Sequence, residues 1–119
     1  MAAPNLAAVT SIFLKNALGG LSTVRSTLLT CLANKAIKVV SIYAANIDGT
    51  VAADATFVLD RGGTDFRIVS TVSVAADATL VPVMKDAPIY LEEGDLIQGD
   101  ASADNKVHYI ISYEEYDDA

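Results

Sequence analysis

The chain has 119 residues, with 15 Asp and Glu against 8 Lys and Arg, one His, one Cys and no Trp. That length holds a single domain, and a hydrophobic fraction of 52% beside 19% charged residues excludes a disordered chain. The net charge of −7 argues against a nucleic-acid binder, which needs Lys and Arg on phosphates.

The lone Cys31 excludes an internal disulfide and a thiolate metal cluster within one chain. Lys15, Arg25 and Lys35 interrupt the hydrophobic first third, so no apolar run approaches the ~18–20 residues of a membrane-spanning helix. MAAPNLAAVT carries no positive charge ahead of its apolar stretch, and a secretory signal is not expected.

In the first twenty residues Leu6, Val9, Phe13 and Ala17 fall near helical spacing. Thr10, Ser11 and Ile12 oppose a helix, because β-branching favours strand. The reading is an N-terminal arm at 1–9 and a single β-sandwich domain at 10–119. Its first strand lies near 10–15, and Gly19-Gly20 turns the chain into a second strand at about 23–31. Residues 36–46, AIKVVSIYAAN, are apolar on both faces after Lys38. They suit a central strand covered on both sides, or one covered by a neighbouring subunit.

Further on, Phe57 and Leu59 alternate against Thr56 and Val58. Phe66, Ile68 and Val72 alternate against Arg67 and Thr71. In the last strand Val107, Tyr109, Ile111 and Tyr113 share one face, and His108, Ile110 and Ser112 the other. The expected core is Phe57, Phe66, Ile68, Leu80, Leu91, Tyr109 and Ile111, and truncation of a fully buried Phe66 would cost about 3–5 kcal/mol.

Turn signals punctuate these segments: Asn34, Asp48-Gly49, Arg61-Gly62-Gly63, Asp77, Asp86 to Pro88, Glu93-Gly94-Asp95 and Asp104-Asn105. Short strands at this spacing predict an all-β, antiparallel sandwich of eight or nine strands. One internal repeat is visible, since Val51-Ala52-Ala53-Asp54-Ala55-Thr56 recurs as Val74-Ala75-Ala76-Asp77-Ala78-Thr79. Two copies fall short of a solenoid. The copies suit tight entries from loop to strand, and coincidence in an Ala-rich chain explains them equally well.

Charge is uneven along the chain. Residues 1–47 hold Lys15, Arg25, Lys35 and Lys38 and no acid, whereas the remainder carries all 15 acids. Either the acids collect in solvated loops, or the domain has faces of opposite sign. In the second case the first third docks on a neighbour. Leu6, Ile12 and Phe13 would then supply apolar burial, and Lys15, Arg25 and Lys35 would meet acidic loops and fix the register.

Catalytic constellations are poorly represented. Nucleophilic catalysis needs a nucleophile, a base and an orienting group. His108 sits mid-strand, and an unpaired Cys31 reads as a small buried apolar residue. Gly62-Gly63 is followed by neither Lys-Ser nor a helix, so it reads as a hairpin turn and not a phosphate cradle. Asp48 with Asp54, Asp60 with Asp65, and Asp100 with Asp104 could pair on calcium, but none has EF-hand spacing. No catalytic, cofactor or metal residues are assigned.

Residues 80–99, LVPVMKDAPIYLEEGDLIQG, run from an apolar strand through a Pro-containing corner to IYLEEGD and a further apolar strand. Gly94 permits positive φ in that turn, and Asp95 can accept from nearby backbone N–H groups. The turn is similar to one in many jelly-roll domains.

With LLTCLANKAIKVVSIYAANIDGTVAADATFVL, VSVAADATLVPVMKDAPIYLEEGD and the closing ISYEEYDD, residues 22–118 resemble small virion structural proteins of tailed bacteriophages, especially marine and cyanobacterial ones. The resemblance implies a jelly-roll-like sandwich present in many copies, without catalysis or cofactor, assembled in the host bacterial cytoplasm and located in the virion. Other virion proteins, the major capsid protein or neck and tail proteins, would be its partners, and the chain would be a homo-oligomer. Nucleic acid, membrane and small-molecule substrate are not expected as partners.

A capsid decoration or cement role leads. A neck, tail or fibre-base protein is the alternative within that class. A small carbohydrate-binding module, with Tyr43, Tyr90, Tyr109, Tyr113 and Tyr116 as stacking rings, is the alternative outside it.

Overall fold

The β-branched and aromatic runs become nine strands in the computed structural model, which describes residues 9–118. They are β1 (Val9–Gly20), β2 (Ser26–Thr30), β3 (Lys35–Asn46), β4 (Ala53–Arg61), β5 (Thr64–Val74), β6 (Thr79–Val83), β7 (Ile89–Leu91), β8 (Leu96–Ala101) and β9 (Val107–Asp118). One sheet runs β1-β9-β3-β6, with β7 also beside β3, and the other runs β2-β8-β4-β5. Every pairing is antiparallel.

The pairings nest. β4 pairs with β5, β3 with β6 and β7, β2 with β8, and β1 with β9, alternating between the sheets. This is one long hairpin wrapped into two layers, the jelly-roll connection. The expected sandwich is therefore present, with its expected strand number.

Turn chemistry holds the corners. Gly62, Gly63 and Gly94 have φ of 64°, 85° and 88°, and Asn34, Asp77 and Asn105 also lie in the left-handed region. These are turn residues that the sequence singles out, and Gly, Asn and Asp tolerate that backbone best.

Gly19-Gly20 behaves differently. Both remain inside β1, and the chain turns after Leu21, which is fully buried. A Cβ on Gly19 would come within 3.1 Å of the Tyr109 hydroxyl, so glycine here makes room for a ring on the neighbouring strand. Of the arm expected at 1–9, residues 1–8, Leu6 among them, lie outside the described residues, and Val9 opens β1.

The core fills the space between the sheets. Phe57, Ile42, Val39, Ile97, Val107 and Ile111 are fully buried, with Leu91 and Ile37 at 1% exposure. Ile68, Leu80, Tyr109 and Tyr113 pack against this cluster from its margin.

Phe66 departs from the expectation, at 57% exposed. The β4–β5 hairpin carries register shifts on both sides of Phe57, each adding one residue to β5, and Thr71, within the first of them, has positive φ. The two one-residue shifts cancel, so Phe66 keeps the face of core-packed Leu59 opposite it; it is exposed because it lies near the hairpin tip, on an edge strand whose first four residues are exposed. Phe66→Ala is accordingly expected to change stability by less than about 1 kcal/mol in a denaturant melt.

A bulge explains β3. Its register against β9 shifts between Val39 and Ser41, so Ile37 and Val39 face inward before it and Ile42, Ala44 and Asn46 after it. The run looks apolar on both faces because its phase changes midway.

Asn46 then seals the end of the sandwich. Its Nδ2 donates to the carbonyls of Val51 and Val74, each at 3.0 Å, and its Oδ1 accepts from the N–H of Asp48. Val51 and Val74 open the two repeat copies, yet the copies differ in conformation. The first enters β4 at Ala53, whereas the second forms the turn between β5 and β6.

Candidate functional site

The cations of the first third find carboxylates within their own chain. Lys15 Nζ donates to Glu115 Oε1 at 2.9 Å, and Lys35 Nζ lies 3.8 Å from the same oxygen while pairing with Asp117. β9 brings this about, because Phe13 and Ile37 both lie opposite Glu115. Glu115 is only 5% exposed, so one buried carboxylate serves two ammonium groups. Hydrogen bonding to Glu115 raises the Lys15 pKa, and hydrogen bonding to Asp117 raises that of Lys35.

Arg25 sits elsewhere, against the second sheet. It donates through Nε to Asp100 at 2.9 Å and through Nη1 to Asp65 at 2.6 Å. The fold thus joins Lys15 to Lys35 and keeps Arg25 apart. Lys15→Glu would set a second carboxylate beside buried Glu115, so it perturbs the fold as well as any contact with a neighbour.

Ile12 and Phe13 are exposed on β1, at 59% and 44%. Ile12 belongs to a larger surface. Residues directly opposite one another on neighbouring strands share a face. One row across the outer face of the first sheet is Leu14, Glu114, Lys38 and Tyr90, and another is Leu18, Ile110 and Tyr43. Beyond Tyr43, Val40, Ser41, Val81, Met84 and Lys85 line an open depression with it.

Leu14, Leu18, Met84, Tyr90, Tyr43, Ile110 and Val81 are all exposed apolar or aromatic side chains. Lys38 and Glu114 are cross-strand partners of opposite sign, so the face is close to neutral on a chain of charge −7. The row between the two, Asn16, Ser112 and Ser41, is polar, and exposed apolar patches rimmed by polar residues are suited to protein contacts. The outer side of the second sheet contrasts with it, carrying Thr27, Gln98 and the Arg25–Asp65–Asp100 cluster.

Sequence reasoning picked out Ile12 but passed over Leu14, Leu18, Met84 and Val81. The available signal was that β1 is apolar at both alternating sets, Ile12, Leu14, Leu18 and Phe13, Ala17, although an edge strand has only one face to bury.

Cys31 and His108 do not meet. Cys31 Sγ donates to the Lys35 carbonyl at 3.3 Å, and His108 lies opposite Ala45. Lys35 and Ala45 stand at opposite ends of β3, roughly 30 Å apart at a strand's rise per residue. Burial pushes the Cys31 thiol up to about 11, with the Asp95 charge adding to it. The neutral thiol is a poor nucleophile. In the native protein Cys31 should resist a thiol-reactive disulfide reagent at pH 8 and react fully once denaturant is added. Rapid native labelling would mean that the site opens locally.

The acidic loops are bonded to their own surroundings. Asp48 Oδ1 accepts from the Thr50 N–H and hydroxyl, which lowers its pKa. Asp60 accepts from the Gly63 N–H and Asp104 from the Thr23 N–H. Tyr109 and Tyr113 lean on the core, Tyr116 donates to Glu114, and of the tyrosines Tyr43 and Tyr90 present exposed rings. The hydrogen bond to Glu114 pushes the Tyr116 phenol up to about 12.

No protein-family model and no curated protein sequence matches the chain. Two solved structures are similar in fold. One is a chain from Bacillus endospore appendages, described as disulfide-linked pili. It has a TM-score of 0.55 at 17% identity, covering 92% of this chain and 90% of that one. The other comes from the capsid structure of Helicobacter pylori bacteriophage KHP30. It has a TM-score of 0.52 at 7% identity, covering 91% of this chain and 89% of that one. The chain therefore has a fold like that of a phage capsid protein and of a pilus protein.

Proposed function

We propose that the chain is a non-enzymatic structural subunit of a bacteriophage virion, decorating or cementing the capsid exterior. The observation that carries this reading is the near-neutral apolar outer face of the first sheet on an otherwise acidic domain. A subunit that binds a shell through that face buries Tyr43, Val81 and Met84 and leaves its acidic second sheet toward water. Its partners are other virion proteins, foremost the major capsid protein, and it assembles with them in the bacterial cytoplasm. A neck, tail or fibre-base position uses the same face, and copy number per particle separates the two.

The likeness to a phage capsid chain and a pilus chain supports an assembly role, since both come from repeated architectures. A sugar-binding role is less well supported. Tyr43 and Tyr90, the exposed tyrosine rings, sit about five residues apart along β3, roughly 16 Å, too far for one stacking platform.

The deciding experiment quantifies the protein in purified particles and locates it in a density map. The expected result is high copy number with the β1-β9-β3-β6 sheet against the shell, and reduced occupancy for Tyr43→Lys with Met84→Lys. Absence from purified particles would overturn the reading.

A further inference from the structure

The two sheets have four edges, and three carry features that discourage further pairing. β2 has five residues. The β6–β7 edge is broken by the 84–88 segment and holds Pro82. β5 carries Asp65 and Arg67, positive φ at Thr71 and register shifts against β4. Short length, proline, charge and bulges are the usual guards of an exposed edge.

β1 has few of these guards. It is 12 residues long, contains no proline, and keeps an unbroken register against β9 from Ser11 to Gly20. Its single charge, Lys15, is engaged with Glu115. Ile12, Leu14 and Leu18 project from its outer face at 59%, 81% and 67% exposure. Among the described residues, no strand pairs with its other edge.

We propose that β1 pairs antiparallel with β1 of a second copy of this chain, making one continuous sheet across a two-fold dimer. The charge distribution selects this occupant. Copies of charge −7 repel, so a contact must avoid their acids. Among the described strands, β1 is the one edge strand longer than five residues that carries no acid. Antiparallel pairing of a strand with itself is an isologous contact, satisfying both edges at once. Leu14 and Leu18 of each copy then cover one another, and the apolar outer faces merge into a single platform. The dimer stands on the edge geometry and is independent of the virion assignment.

The test is equilibrium sedimentation of the full chain with amide hydrogen exchange. The wild type is expected at twice 12.5 kDa, with alternate β1 amides protected at high concentration and released on dilution. Leu14→Lys with Leu18→Lys should raise the dissociation constant at least about tenfold, or about 1.4 kcal/mol. Tyr43→Lys with Met84→Lys, on the far strands of the face, should leave the dimer intact.

A wild-type monomer at about 100 µM would overturn the proposal. So would a dimer whose β1 amides stay unprotected, or one dissolved by the Tyr43 and Met84 changes alone. Exchange in the wild type decides the matter even if the β1 variant fails to fold. A monomer leaves the virion reading standing, and absence from particles leaves the dimer standing.

Discussion

Arg61→Ala is expected to destabilise the fold by about 2 kcal/mol at neutral pH, through the carboxylate of Asp95 that it leaves behind. Removing one partner of a fully buried ion pair costs about 3–5 kcal/mol. The loss is smaller here because the Arg61 side chain is half in water, which screens the pair. Asp95 itself is 2% exposed and sits in the turn between β7 and β8. It accepts from Arg61 Nε at 3.0 and 3.1 Å, from Nη2 at 2.6 Å, and from the Glu92 N–H at 2.8 Å. The pair ties the β4–β5 hairpin to the β7–β8 turn. That turn also holds the β2–β3 connection, through Gly94 N–H to the Cys31 carbonyl and Cys31 N–H to the Asp95 carbonyl. Without the guanidinium, the carboxylate stays buried with one backbone donor. Arg61→Lys should fall between the two, because a single ammonium cannot reproduce the two-pronged contact.

The pH dependence identifies the mechanism. Burial alone would raise the Asp95 pKa, but the Arg61 hydrogen bonds and charge together with the Glu92 N–H outweigh it and hold the pKa below 3.8. A folded-state pKa below the unfolded value means stability present above about pH 4 and lost as pH falls through the folded pKa. In Arg61→Ala burial is less opposed, the pKa rises, and protonation at low pH relieves the buried charge. Denaturant melts should therefore show a gap between wild type and variant that is wide at pH 7 and closes toward pH 3. A gap that stays constant would mean that Arg61 acts through packing alone.

Much of the architecture was legible because it is written locally. Asn34, Gly62-Gly63, Asp77, Gly94 and Asn105 mark the corners by their own backbone preferences, and period-2 alternation marks the core face of β9. The sequence stretch around IYLEEGD also announced its own geometry, with Gly94 at positive φ and Asp95 capping the Glu92 N–H. The errors have non-local causes. A bulge shifts phase in β3, and Phe66, which alternates as expected, lies on a hairpin tip that no other strand covers; both depend on what partner strands offer. Gly19 reads as a turn residue because its neighbour in space, Tyr109, lies 90 positions away.

The candidate surface was less legible still. Arg25 finds Asp65 and Asp100 at separations of 40 and 75 positions, and Lys15 finds Glu115 at 100. In sequence these cations look available for a neighbour's acids, but the fold has already engaged them. What remains for a partner is apolar. That remainder becomes visible only when β1, β9, β3, β6 and β7 are set side by side and Leu14, Leu18, Ile110, Tyr43 and Met84 share one surface.

Phe57→Ala is expected to cost about 3–5 kcal/mol, and its contrast with Phe66→Ala tests where packing ends along the β4–β5 hairpin. Phe57 is fully buried, with Val69 opposite it on β5 and Gly99 opposite it on β8. A Cβ on Gly99 would come within 3.0 Å of Leu28 Cδ1 and 3.1 Å of the Thr56 carbonyl, so this part of the interior has no slack. β4 is held along both edges by β5 and β8, and its backbone cannot settle into the space a benzyl group leaves. Cost rises with the cavity that survives relaxation, which places Phe57 in the upper part of the range. Phe66 lies on the same hairpin, opposite Leu59, but largely in water. Urea melts of the two variants should differ by at least about 2 kcal/mol. Equal losses, or a larger loss at Phe66, would show that the tip of the β4–β5 hairpin is covered and not in water as described.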